Sequence, residues 1–441
     1  MRREMEGGGR DQKAHFLVLP FHGVGHINPM LQFSRRLALK GVKITLAVAL
    51  SCAAKIRTGG GGHITVLPIH DDCIWGEVDF VEYFERFEAA ASRCLTEFVQ
   101  ELRISHCPPH CLVYDGNFPW GVTLANQLGL AAAAFFTQSC SAVAHYYPMY
   151  CEVRSKPPPA PPCPLSGHLP PLPVPVVQSL GPNTGRHPPL ILHILKQFDG
   201  LEKADFVVFN SFDKLEEEAV KWMENLWPIR TIGPTVEQGD GLEAEKREYM
   251  RWLGRQAAGS VVYVCFGSVA VARAEEMREV AWAVKEGEVG PFLWVVKAGE
   301  ERGRLPRGFE EETAGKGLVV GWCAQAEVLA HPAVGCFVTH CGWNSTVEAV
   351  SRGVPMVAMP QFLDQVVNAY LVGKVWCVGV RPRCGDGDGG PEMARCIREM
   401  MRRESGMRRN ALRWQSVAEE AVGAGGSSDK HMDEIIARFT H

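Results

Sequence analysis

The chain has 441 residues, 46% of them hydrophobic, and a formal net charge of −4 with acids and bases interspersed. That is enough for two or three domains with large cores, and it excludes a disordered chain and a basic nucleic-acid-binding face. The fifteen cysteines are scattered without a CxxC pair, the N-terminus is polar with no apolar leader core, and no run approaches ~18 apolar residues. The expectations are free thiols, a cytoplasmic location and no membrane span.

HFLVLPF (15–21) predicts a buried first strand, followed by the loop HGVGH and an amphipathic helix. Strands are expected at 43–50 and 64–69 around a Gly-rich loop at 59–62, then a helix over 79–103. CLVYD (111–115) is a fourth strand ending in a carboxylate, and AAAAFF (131–136) a fifth ending at Thr137. Residues 155–189 hold 13 of the 29 prolines, which excludes helix or central strand and predicts an inserted irregular loop. Strands at 204–210 and 229–233 complete this half, and the acidic stretch 236–248 is the expected domain linker.

The second half repeats the pattern, with strands at 261–267, 292–296, 318–321, 335–340, 355–359 and 377–380. Helices are expected at 274–286, 391–403 and 405–422, with a capped terminal helix over 425–439. Strands alternating with helices at this spacing imply doubly wound parallel sheets. The two halves are both of Rossmann type.

GCFVTH, CGW, NSTVEAVSRG and PMVAM form a βαβ unit at 335–359. The helix opening near Asn344 presents unpaired backbone N–H groups and a positive dipole end, a seat for a phosphate, with His340, Asn344 and Ser345 as polar neighbours. A bland reading stands beside it: Ser345–Glu348 fits a capping box, which only stabilises a helix start. His26 lies in the loop after the first strand, and Asp115 ends the fourth, on the same edge of one sheet. An Asp beside a His can orient it as a base, although a helix cap and a strand end explain the two equally well. HGVGHINP lacks a G-x-G-x-x-G fingerprint, and no acidic residue closes the second strand, which argues against an NAD-dependent oxidoreductase. Asp386 and Asp388 form a DxD pattern in a Gly-rich turn, where Asp is favoured for local hydrogen bonding, so no metal site is expected.

Trp322–Gln365, WCAQAEVLAHPAVGCFVTHCGWNSTVEAVSRGVPMVAMPQFLDQ, resembles the 44-residue signature box of plant family 1 UDP-dependent glycosyltransferases, and GHINPMLQFSRRLA and LVYDGNFPW resemble that family's base-bearing segments. The resemblance spans almost the whole chain, with Val24 departing from the Gln frequent in close members. It implies the GT-B fold, two Rossmann-like domains facing across a cleft: an acceptor domain (1–238), a UDP-sugar domain (239–424) and a terminal helix (425–441) packing back on the first.

The activity it implies is inverting transfer of glucose from UDP-glucose to a hydroxyl or carboxyl of a small lipophilic metabolite by a monomer needing no cofactor. His26 would be the base and Asp115 its partner. Trp322 would stack on uracil, the backbone at Ala324 would read its edge, and Gln325 and Glu348 would hold the ribose. His340, Asn344, Ser345 and Ser268 would bind the diphosphate; Trp343, Asp364, Gln365 and Thr137 the sugar. Gln365 and Trp343 favour glucose over galactose and glucuronate. His22, Phe118, Phe136 and Phe362 would line the acceptor pocket. The alternatives are a catalytically weak nucleotide-sugar-binding protein and a transferase using another donor such as UDP-galactose.

Overall fold

The computed structural model describes residues 14–58, 63–71, 80–104, 107–157, 161–165, 167, 189–236, 247–268, 272–383 and 389–440. The Gly-rich loop 59–62, most of the Pro-rich stretch, the greater part of the expected linker (237–246) and the Asp386–Asp388 pair lie outside them.

The first half forms a seven-stranded sheet. Its strands are β1 (His15–Leu19), β2 (Lys43–Ala49), β3 (Ile64–Ile69), β4 (Cys111–Asp115), β5 (Ala131–Phe136), β6 (Phe206–Phe209) and β7 (Ile229–Thr231), in the order β3-β2-β1-β4-β5-β6-β7. The second half forms a six-stranded sheet from β8 (Val261–Cys265), β9 (Phe292–Val295), β10 (Gly317–Val320), β11 (Val334–Thr339), β12 (Met356–Ala358) and β13 (Gly379–Val380), in the order β10-β9-β8-β11-β12-β13. Every paired strand is parallel.

Both orders reverse direction once, between β1 and β4 and between β8 and β11. In open α/β sheets ligands bind at such switch points, outside the carboxyl ends of the strands. The strand patterning is set by two-sided burial: Phe16 and Val18 face one apolar layer and Leu17 and Leu19 the other, so all are apolar. The helix Ser427–Ala437 completes the outer layer of the first sheet, with Met432 and Ile435 packed among Phe16, Val18 and Phe33. Ser428 Oγ ties it down, donating to the Gly233 carbonyl at 2.6 Å.

Element ends shift by at most two residues from the sequence reading. The last strand shortens to Gly379–Val380. The helix after β11 starts at Trp343 with Gly342 as its N-cap, so Ser345 sits inside the first turn and no Ser345–Glu348 capping box forms. The cause is Cys341, whose left-handed backbone (φ +61°) turns the chain ahead of Gly342, so that the N-cap falls before the Ser-Thr pattern rather than on it. The terminal helix likewise has Gly426 at its N-cap and no side-chain cap.

Candidate active site

The site grows from the β1–β4 switch point. His26 lies in the first turn of the helix Val24–Leu39, and Asp115 ends β4. Topology alone brings them together: His26 Nδ1 lies 2.7 Å from Asp115 Oδ2. Asp115 is 1% exposed, and its oxygens also accept from the backbone N–H of Asn117 at 3.0 Å and of Phe21 at 3.4 Å. A carboxylate so placed accepts, which puts the imidazole proton on Nδ1 and leaves the Nε2 lone pair to act as a base. Burial lowers the His26 pKa, but the charge and hydrogen bond of Asp115, with Asp364 adding, outweigh it and raise it above the ordinary value. Thr137, at the exit of β5, has its Oγ1 3.1 Å from the same His26 Nδ1.

His22 differs in kind. Its ring packs on Phe21 (3.9 Å between centroids) and Tyr83 (4.7 Å). Burial, helped by His26, pushes its pKa down to about 4, so it is neutral at pH 7. Two expected pocket residues do not line any opening. Phe118 is 0% exposed, stacked on Phe87 at 5.3 Å, and Phe136 is 2% exposed, stacked on Phe209 at 4.9 Å. Both rings fill the core beneath the strand ends. Phe21, stacked on Phe84, and His193 beside it are only partly buried near the mouth and went unremarked in the sequence. Phe362 is half-buried.

Across from His26 stands the β8–β11 switch point. The helix Trp343–Ser351 begins there, and the amide N–H groups of its first turn have no intrahelical partner. Its start is fastened to the first half twice: Asn344 Nδ2 donates to the Gly25 carbonyl at 2.6 Å, and Trp343 Nε1 to the Asn210 carbonyl at 2.8 Å. Trp343 is 3% exposed, so its indole serves this contact and offers no N–H to a ligand. His340 wedges between two glycines. A Cβ on Gly267 (φ +77°) would come within 2.6 Å of its ring, and one on Gly342 within 2.5 Å. Burial, with Lys297 adding, lowers the His340 pKa to about 4. It is therefore a neutral hydrogen-bonding group at pH 7. Ser268, exposed at the β8 exit, accepts from Lys297 Nζ through its carbonyl at 3.1 Å.

Along the same edge Trp322 is 67% exposed, a large aromatic face open to a ligand on one side and met by the Arg247 guanidinium 5.8 Å from its centroid. Tyr249 Oη accepts from the Ala324 N–H at 3.0 Å. Gln325 Nε2 donates to Glu348 Oε2 at 2.8 Å and to Ser345 Oγ at 2.9 Å, so Ser345 turns towards Gln325. Asp364 and Gln365 open the helix Asp364–Tyr370. Burial raises the Asp364 pKa to about 6, against the pull of Asn368 and His26. Gln365 Oε1 is already taken, accepting from Gln361 N at 2.9 Å and Phe362 N at 3.2 Å, so its Nε2 is the atom left for a ligand.

Known proteins resemble this chain in sequence and in fold. The sequence profile described as "UDP-glucoronosyl and UDP-glucosyl transferase" matches residues 210–382. The chain is 39% identical to UDP-glucosyl transferase 74CD1 of Saponaria officinalis, over 97% of this chain and 98% of that protein. It is 38% identical to UDP-glycosyltransferase 74E2 of Arabidopsis thaliana, over 97% and 99%. The chain belongs to the plant UDP-glycosyltransferase family. Its fold is that of the solved Os79 from O. sativa in complex with UDP, at a TM-score of 0.80 and 34% identity over 96% of this chain and 99% of that one. The Polygonum tinctorium UDP-glucosyltransferase capable of glucosylating indoxyl gives a TM-score of 0.80 at 26% identity, over 96% and 98%. This glycosyltransferase therefore has the GT-B architecture, two parallel-sheet domains with their strand exits facing. Among the described residues no helix is long and apolar enough to cross a membrane, and no three His, Cys, Asp or Glu side chains gather as metal ligands would.

The family signature carries no mark of Arg247 or Tyr249, which precede it in the chain by more than seventy residues and meet it only in the fold. An Arg-x-Tyr after an acidic linker has no periodicity or spacing that singles it out.

Proposed function

We propose that this glycosyltransferase transfers glucose from UDP-glucose, with inversion, to a hydroxyl or carboxyl of a small lipophilic metabolite, with His26 as general base. The observation that carries the proposal is the 2.7 Å His26–Asp115 pair standing at a strand edge, opposite a helix start fastened to its own loop through Asn344. The relatives named for glucosyl transfer support the donor.

In the reaction, His26 Nε2 takes the acceptor O–H proton as the acceptor oxygen attacks the anomeric carbon. The bond from that carbon to the diphosphate oxygen breaks on the opposite face, and UDP leaves with its electron pair. In-line displacement at one carbon inverts its configuration. Asp115 keeps its charge throughout and stabilises the imidazolium that forms, as a carboxylate partner does in other His-based sites. The developing charge on UDP faces the N–H groups of the helix Trp343–Ser351, whose positive end favours an anion. Trp322 offers the uracil a face, Glu348 with Gln325 holds the ribose, and Asp364, Gln365 and Thr137 contact the sugar. This division of labour calls for no metal ion. The acceptor enters past Phe21, His22 and Phe362, an aromatic rim with few charges, which suits phenolic, terpenoid or steroid alcohols.

An intact His–Asp pair speaks against a mere nucleotide-sugar-binding protein. The test is a panel of such acceptors offered UDP-glucose or UDP-galactose, with products identified by mass spectrometry, for the wild type and His26→Ala. On an alcohol acceptor His26→Ala is expected to cut turnover ~10²- to 10⁴-fold, the usual worth of a general base, with UDP affinity unchanged. A variant within a few-fold of wild type would remove His26 from the mechanism. Stronger turnover with UDP-galactose would overturn the donor assignment.

A further inference from the structure

The helix that opens with Asp364 and Gln365 carries a third polar residue, Asn368, which is 0% exposed. Its Nδ2 donates to Asp364 Oδ2 at 2.9 Å and to the Cys341 carbonyl at 2.9 Å. A carboxylate and a carbonyl only accept, so the amide has one orientation that satisfies both, with its oxygen on the far side. There Asn368 Oδ1 accepts from Ser139 Oγ at 2.9 Å. Ser139 belongs to the first domain, is 0% exposed, and caps the helix Cys140–Val153 by accepting from Ala142 N at 3.1 Å. With its lone pair on the cap, its proton goes to Asn368.

The chain of bonds therefore runs from one domain to the other and ends on Asp364. It also grips the backbone at a tense point. Cys341 (φ +61°) and Leu363 (φ +54°), each immediately ahead of a turn into the site, hold left-handed conformations that side-chain-bearing residues disfavour. Asn368 bonds the carbonyl of the first and reaches the residue after the second.

We propose that Asn368 is a positioning residue: held by Ser139 from the facing domain, it aims Asp364 at the hydroxyls of the donor hexose, so that Asp364 is correctly set only when the domains are together. The proposal rests on the reading that Asp364 touches the sugar. It makes recognition of the hexose, as distinct from the nucleotide, depend on a residue of the acceptor domain.

The test compares binding of UDP with binding of UDP-2-fluoroglucose, a donor that does not react, together with turnover on UDP-glucose. The proteins are wild type, Ser139→Ala, Asn368→Asp, Asp364→Ala and the Ser139→Ala/Asp364→Ala pair. Ser139→Ala is expected to bind UDP within about twofold of wild type while binding the fluoro-sugar and turning over about 5- to 10-fold less well, as for one lost buried hydrogen bond. Asn368→Asp should lose more, because a carboxylate would face Asp364 and the Cys341 carbonyl. The double variant should be no worse than Asp364→Ala alone, since the two act in series.

Loss of the helix cap by itself would not change the ratio of UDP to fluoro-sugar affinity, so an unchanged ratio in Ser139→Ala, or additive losses in the cycle, overturns the proposal. If Asp364→Ala leaves that ratio unchanged, the underlying sugar-contact reading falls, and the positioning role falls with it. Should Asn368→Asp fail to fold, the Ser139–Asp364 cycle decides alone.

Discussion

Replacing Asp115 by Asn tests the base assignment more sharply than removing the histidine, because it keeps the shape and changes only charge and hydrogen-bond direction. The carboxylate has acceptors on both oxygens: Oδ2 for His26 Nδ1 at 2.7 Å and Phe21 N at 3.4 Å, Oδ1 for Asn117 N at 3.0 Å. An amide has one acceptor. If its oxygen stays on His26, its NH₂ points at the Asn117 N–H, and two donors face each other in a buried site. If it turns, its NH₂ faces His26 Nδ1 and drives the imidazole proton to Nε2, where the base must be bare. Either arrangement forfeits a charge-assisted buried hydrogen bond worth about 1.5–3 kcal/mol, or roughly 10- to 160-fold in turnover. The pH profile should move as well. Asp115 is what raises the His26 pKa against burial, so without it the limb on which activity rises with pH shifts to lower pH. The assay is UDP release against pH on an aliphatic alcohol, whose high pKa makes the base indispensable. Turnover within twofold of wild type, or an unmoved limb, would refute the orientation of His26 by Asp115.

Gln365→Ala should lower turnover with UDP-glucose at least ~10-fold and leave UDP inhibition unchanged. Gln365→Glu keeps the acceptor that serves the Gln361 and Phe362 amides, so an effect confined to Ala would make Gln365 a loop brace and not a sugar ligand. Activity should survive EDTA, and the Asp386→Ala/Asp388→Ala protein should match wild type; abolition reversed by Mn²⁺ or Mg²⁺ would overturn the metal-free account. Burial raises the Asp364 pKa from 3.8 to about 6, so its charged form weakens the fold, a penalty absent below the lower value and complete above the upper one. Asp364→Asn should therefore melt roughly 2–4 °C above wild type at pH 7.5, with the gap closing towards pH 5; a gap that ignores pH would refute the burial cause.

What could be read from the sequence was whatever local pattern dictates. Two-sided burial makes the interiors of β1, β4 and β11 apolar, and the ends of these strands place His26, Asp115 and His340 at sheet edges from the sequence alone. Failures came where a residue's neighbours are distant in the chain. Phe118 and Phe136 follow strand ends and look like pocket linings, yet their rings turn inward against Phe87 and Phe209. Ser345 fits a cap by spacing, but a left-handed Cys341 moves the helix start ahead of it. Residue type alone also leaves environment out: burial keeps His340 neutral, and the Gln365 amide has already spent its oxygen on the loop.

The helix Ser427–Ala437 closes the outer face of the sheet to which the first residues of the fold belong. Strand β1 and this helix thus share one structural layer, and the first domain lacks part of its apolar cover until residues 427–437 have been made. Any exchange of halves between relatives must respect this. A chimera cut within 237–246 should take its final helix from the parent that supplied its first half, because Met432 and Ile435 must fit against Phe16, Val18 and Phe33. In such chimeras the terminal helix belongs with the first half, although it follows the second in the chain.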